Sequence, residues 1–161
     1  MKHLRAPVML ILGLALVAAL AASATAQTTK FTATYSGKVT EKVNGQTVTA
    51  TTKGTGKGTL IGKSTVSGIV TATTTSDQAC APFGGPGSIV GTGGKMKVTV
   101  VNSRGCAASQ DAQNDISVAG FVTVKGGTGK WKAAKANLHF TGHYDRGSGA
   151  FTVKLTGTLK Y

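Results

Sequence analysis

The stretch Phe151-Thr152-Val153-Lys154-Leu155-Thr156-Gly157-Thr158-Leu159-Lys160-Tyr161 decides the fold class. Phe151, Val153, Leu155, Leu159 and Tyr161 fall on one side, and Thr152, Lys154, Thr156, Thr158 and Lys160 on the other. Successive strand residues point to opposite faces, so a period of two describes a strand with one face in a core and the other in water. Upstream, Met96, Val98 and Val100 oppose Lys95, Lys97 and Thr99, and Ile116, Val118, Val122 and Val124 share one side of the segment from Ile116 to Lys125. Helical periodicity is nearly absent. The abundant threonine is β-branched and suits a pleated surface.

Turn signals divide this pattern. Asn44-Gly45 predicts a two-residue hairpin turn, and Asp145-Arg146-Gly147-Ser148-Gly149 predicts a second hairpin joining Leu138–Tyr144 to the final strand. Strand candidates lie near 30–40, 46–53, 57–63, 65–76, 88–91, 95–102, 115–125, 135–144 and 150–161. Many short antiparallel strands without helices give a barrel or a sandwich. Glycines inside strands, at Gly37, Gly68, Gly120, Gly142 and Gly157, favour the strongly coiled sheet of a barrel. The expected class is therefore all-β, an antiparallel β-barrel of about eight strands, with a β-sandwich as the alternative.

Residues 1–26 read as a signal peptide. Lys2 and Arg5 precede an apolar run from Pro7 to Ala22, and Ala24-Thr25-Ala26 is an A-x-A cleavage pattern. The run is shorter than the roughly 20 residues that span a bilayer, and no later stretch is long enough. A single domain is expected over residues 27–161, secreted or held in the periplasm or cell envelope. Losing Lys2 and Arg5 leaves 16 basic residues against five acidic ones, a formal charge of +11. Such an excess attracts polyanions, although the lysines are spread along the chain. Aromatic residues for base stacking are few, which argues against specific nucleic-acid reading.

Cys80 and Cys106 are expected to form a structural disulfide, since an isolated pair in an oxidising compartment lacks further ligands for a metal. The loop Ala79–Ser88, with Pro82, Pro86 and three glycines, reads as a connection or as a lid tipped by Phe83, and Ser103–Asn114 as a polar connector holding Cys106. The segment Val124-Lys125-Gly126-Gly127-Thr128-Gly129-Lys130-Trp131-Lys132-Ala133-Ala134-Lys135-Ala136, with the hairpin Leu138–Tyr161, resembles the turn and closing strands of plant dirigent proteins and allene oxide cyclases. The resemblance implies an eight-stranded barrel with an internal pocket, often trimeric, and isomerase or cyclase chemistry as one option. The acidic and basic residues that assist chemistry in those families have no counterpart here, so it speaks for fold.

Candidate ligand-binding residues are His139, His143, Tyr35, Tyr144 and Lys154. His139 and His143 share a strand face with Thr141 and Asp145, and a 145–150 pairing would set Thr152 and Lys154 opposite His143 and Thr141. Two histidines four apart on a strand are about 13 Å apart, too far to share a metal directly. Tyr35 and Tyr144 line a lumen or sit as strand aromatics with the hydroxyl at the rim. No catalytic residue is assigned: no nucleophile elbow is present and the five acids are scattered. No cofactor and no metal are expected. The leading expectation is non-enzymatic binding of a small apolar ligand or a partner surface. The alternatives are a barrel isomerase or cyclase and an envelope-associated polyanion binder.

Overall fold

The computed structural model describes residues 26–73, 79–107 and 114–161. Eight strands follow one another: β1 (Thr28–Asn44), β2 (Thr47–Gly58), β3 (Gly62–Thr73), β4 (Cys80–Gly91), β5 (Gly94–Ala107), β6 (Asp115–Gly127), β7 (Lys135–Asp145) and β8 (Ala150–Lys160). One 3-10 turn, Gly129–Trp131, separates β6 from β7. Each strand pairs antiparallel with the next and β8 returns to β1, so the sheet closes without an edge. The barrel is thus the observed class, and the sandwich is set aside.

The period of two carries this result. In β8 the alternating set Phe151, Leu155 and Leu159 is buried while Thr152, Lys154, Thr158 and Lys160 are exposed. In β1, Phe31, Ala33 and Tyr35 are buried between exposed neighbours. The inward set merges into one core in which Trp131, Tyr35, Phe31, Ile61, Met96, Leu138 and Leu159 are fully enclosed. They gather at the end of the barrel that carries the 3-10 turn, so that end is plugged. Trp131 is its stopper. The indole Nε1 donates to the Thr92 carbonyl at 3.1 Å, the Tyr161 ring lies 5.2 Å away, and Lys130 Nζ sits 4.3 Å above the indole while donating to the Leu60 carbonyl at 3.0 Å.

Several local expectations change. Segments 46–53 and 57–63 do not stand as two strands separated by a turn near Gly54 and Gly56. β2 runs through both glycines and turns after Gly58. A Cβ at Gly54 would lie 2.7 Å from the Phe151 ring, and one at Gly56 2.6 Å from the Tyr35 ring. These glycines make room for inward aromatics instead of breaking the chain. Asn44-Gly45 is also displaced by one residue. Asn44 pairs with Thr47, so Gly45 (φ 58°) and Gln46 are the central pair, a turn with glycine first.

The Ala79–Ser88 segment belongs to a strand, not a lid. Pro82 and Pro86 share the exposed face of β4, and Phe83 turns inward to meet Phe140 at 6.1 Å between ring centroids. Cys106 likewise lies on β5, where Cys80 and Cys106 are directly opposed and joined by a disulfide. The register across β5 slips by one residue near Asn102, which takes φ 48°. Such a bulge bends a strand and increases its coil. A second slip, at the end of β6, centres on Gly126 with φ 80°.

Candidate functional site

The structure divides the sequence-predicted residues between two faces. Tyr35 points inward and is fully buried, its hydroxyl 3.0 Å from Ser64 Oγ. Burial pushes its pKa up, and the Ser64 hydrogen bond offsets part of that rise. Tyr144 also faces inward, half-buried near the end opposite Trp131. Its phenol is pushed up to about 12 by burial, by the negative charge of Glu41 and by its hydrogen bond to that carboxylate. Arg146 Nε lies 3.7 Å from Glu41 Oε2, so Glu41, Tyr144 and Arg146 form one polar cluster at the barrel mouth.

His139, His143 and Lys154 are exposed on the outer wall. The 145–150 pairing holds, setting His143 opposite Thr152 and Thr141 opposite Lys154. The two histidines are not brought together. His139 meets the edge of Phe121, with ring centroids 5.4 Å apart, while His143 Nδ1 lies 3.5 Å from Asp115 Oδ1. Among the described residues no group of three His, Cys, Asp or Glu side chains is placed to hold a metal ion. Asp145 is held below its ordinary carboxyl pKa chiefly by the Ser148 backbone N–H, which donates to it at 3.1 Å.

The feature that residue-by-residue reading missed is the distribution of charge along the barrel axis. Lys30, Lys57 and Lys63 lie where β1–β3 approach the plugged end, and Lys95 and Lys97 do so on β5. Lys125, Lys130, Lys132, Lys135 and Lys160 surround the 3-10 turn itself. That makes ten cations around one end. The three acids among the described residues, Glu41, Asp115 and Asp145, all stand at the other end, at or near strand termini. Asp77 and Asp111 lie outside the described residues.

Register sharpens this into a row. Lys125 of β6 is the direct partner of Lys135 of β7, and Lys135 is the direct partner of Lys160 of β8. Directly opposed residues share one face of a sheet, and like charges in that arrangement repel. All three side chains are exposed, and neither ion pair among the described residues involves them. Gly126 puts Lys132 beside the row, because its left-handed backbone lets the turn fold back until a Cβ there would be 2.9 Å from the Lys132 carbonyl oxygen. The result is a shallow groove of about 640 Å³ with Lys125, Lys132, Lys135 and Lys160 around a floor of Val124, Ala134 and Ala136. Lys57 and Lys63 form another directly opposed pair at the same end.

Chemically, the groove offers ammonium groups over an apolar and backbone floor, and none of its lining residues is a carboxylate, thiol or imidazole. It can bind negative charge. The chain matches no protein-family model, no curated protein and no solved structure.

Proposed function

We propose that the protein is an exported, non-enzymatic module that binds anionic polymers through the lysine-bearing end of its barrel. One observation carries this reading: ten lysines surround the plugged end, while the three described acids stand at the other. A barrel that needed charge only for solubility would gain from interspersed signs, because opposed lysines cost stability. Three directly opposed Lys–Lys pairs at that end, 57/63, 125/135 and 135/160, are instead tolerated. A polyanion relieves that repulsion when it binds. Export rests on the leader pattern in residues 1–26, which lies almost wholly outside the described residues, and agrees with the Cys80–Cys106 disulfide. No helix of the described residues is long and apolar enough to cross a membrane.

The test is equilibrium binding of residues 27–161 to a long-chain polyanion at increasing salt. Affinity is expected to fall steeply and log-linearly as counterion release loses its advantage. Binding that is absent at low salt, or that does not weaken with added salt, removes the proposal.

A second reading, a small apolar ligand within the barrel, is favoured by a separate observation. Several core side chains toward the mouth, including Phe83, Val100, Val118, Tyr144 and Val153, are only partly buried. A ligand seated there would raise the melting temperature and shield Phe83, and an apolar panel that leaves melting unchanged counts against it.

A further inference from the structure

The reading above concerns an end of the molecule; this inference rests on it and names a site and a ligand class. We infer that the groove between the end of β6, the 3-10 turn and the ends of β7 and β8 takes a segment of a linear phosphate polymer. Its residues are Lys125, Lys132, Lys135 and Lys160.

Cation density in the groove is high. Neighbouring strands lie about 5 Å apart, so Lys125, Lys135 and Lys160 form a row only about 10 Å across at the backbone. Lys132 adds a fourth charge to the same groove. A polymer with one anion in every short repeat sets several charges against that row. A polysaccharide with one carboxylate per two sugar rings offers far fewer, and leaves ammonium groups unpaired.

Every charged group in the groove lining is a lysine, a compact point charge that holds a tetrahedral anion approached from any side. Arg104 and Arg146, whose planar forks would hold carboxylate and phosphate alike in two-point contacts, are placed at the opposite half of the barrel. The groove lining contains no aromatic side chain. Single-strand nucleic-acid binders add stacking platforms to a basic groove. Here Trp131 is fully buried and engaged with Lys130 and Tyr161, which leaves charge as the only quantity the groove reads.

The site lies on the curved outer wall and rim, not in the lumen. The turn contributes Lys132, Ala133 and Ala134 to its lining, and the ends of β6, β7 and β8 contribute the rest. Its position also predicts independence from the barrel mouth: Glu41, Tyr144 and the disulfide stand at the far end of the same strands.

The experiment compares residues 27–161 with two triple variants of equal charge loss, K125Q/K135Q/K160Q in the groove and K42Q/K53Q/R104Q elsewhere. Long-chain inorganic polyphosphate and hyaluronate are the probes, at matched charge concentration. Circular dichroism and melting verify that each variant folds, and the single variant Lys135→Gln replaces the groove triple if it does not. The groove triple is expected to lose at least tenfold in polyphosphate affinity. Its log–log salt slope should become shallower by roughly 2, at about 0.7 per lost phosphate contact on a single chain. The distal triple should change affinity less than threefold. Wild type should prefer polyphosphate to hyaluronate by at least tenfold. Equal losses in the two triples overturn the site while leaving polyanion binding standing, and equal affinity for both polymers overturns the ligand class. Failure of the wild type to bind any polyanion at low salt overturns the underlying reading as well.

Discussion

Lys135 carries the clearest consequence of the residue-scale description. It is directly opposed on both sides by another lysine, with Lys125 on one strand and Lys160 on the other. Cross-strand pairs contribute roughly 0.2–1 kcal/mol each, and like charges carry the unfavourable sign. Lys135→Gln is therefore expected to raise stability by about 0.2–1 kcal/mol at low ionic strength while weakening polyanion binding, the signature of a residue kept for function against stability. Denaturant titration with and without added salt checks it, since salt should abolish the gain. Tyr144 gives the second residue-scale prediction. Its pKa is raised, so the folded state retains a proton that the unfolded chain gives up from about pH 10. The resulting stabilisation is fully present below pH 10 and disappears as pH climbs through about 12. Tyr144→Phe should flatten the loss of stability over that window relative to wild type, as followed by urea midpoints. An unchanged profile would mean that neither burial nor the Glu41 carboxylate raises the phenol's pKa.

At the scale of elements, the turn and the bulge that precedes it hold the plugged end together. Trp131 is fully buried, donates through Nε1 to the Thr92 carbonyl, lies under the Lys130 ammonium and meets the Tyr161 ring at a tilt. Trp131→Ala should cost about 3–5 kcal/mol by the usual large-to-small core penalty and should loosen the lysine row together with the core. Thermal melting and polyphosphate affinity should fall together. The strands were legible because period two survives in β5, β6 and β8, whose inward sets were readable residue by residue. β4 was not, because Pro82, Pro86 and three glycines mimic a loop. The closed sheet tolerates both prolines on one exposed face and uses glycines where neighbouring backbones come close. Gly54 and Gly56 misled for the same reason: in a tightly coiled barrel they yield space to Phe151 and Tyr35, a tertiary fact that no local pattern records. The groove was hidden for a different cause. Opposition of Lys125 and Lys135 depends on a register set beside the Gly126 bulge, and Lys160 joins only when β8 is placed. The charges were visible in the sequence and their alignment was not.

Over the whole molecule the two ends differ in their work. One is packed around an indole and lined outside by cations, while the other holds the disulfide, the described acids and the partly buried Phe83 and Tyr144. The Cys80–Cys106 link spans 26 residues, so its loss should cost roughly 3.5 kcal/mol in the chain-entropy account. The double variant C80A/C106A should melt at lower temperature yet bind polyphosphate as wild type does below its transition, because the groove lies at the other end. A joint loss of both properties would show that the ends are coupled. The central claim, that polyanions are bound by the lysine-bearing end, is met most directly by a backbone-amide NMR titration of residues 27–161 with inorganic polyphosphate. Shifts are expected to concentrate at Lys125, Lys132, Lys135 and Lys160, with Glu41, Tyr144 and Cys80 unmoved. Shifts concentrated instead at the mouth, or spread evenly over the barrel wall, would contradict it.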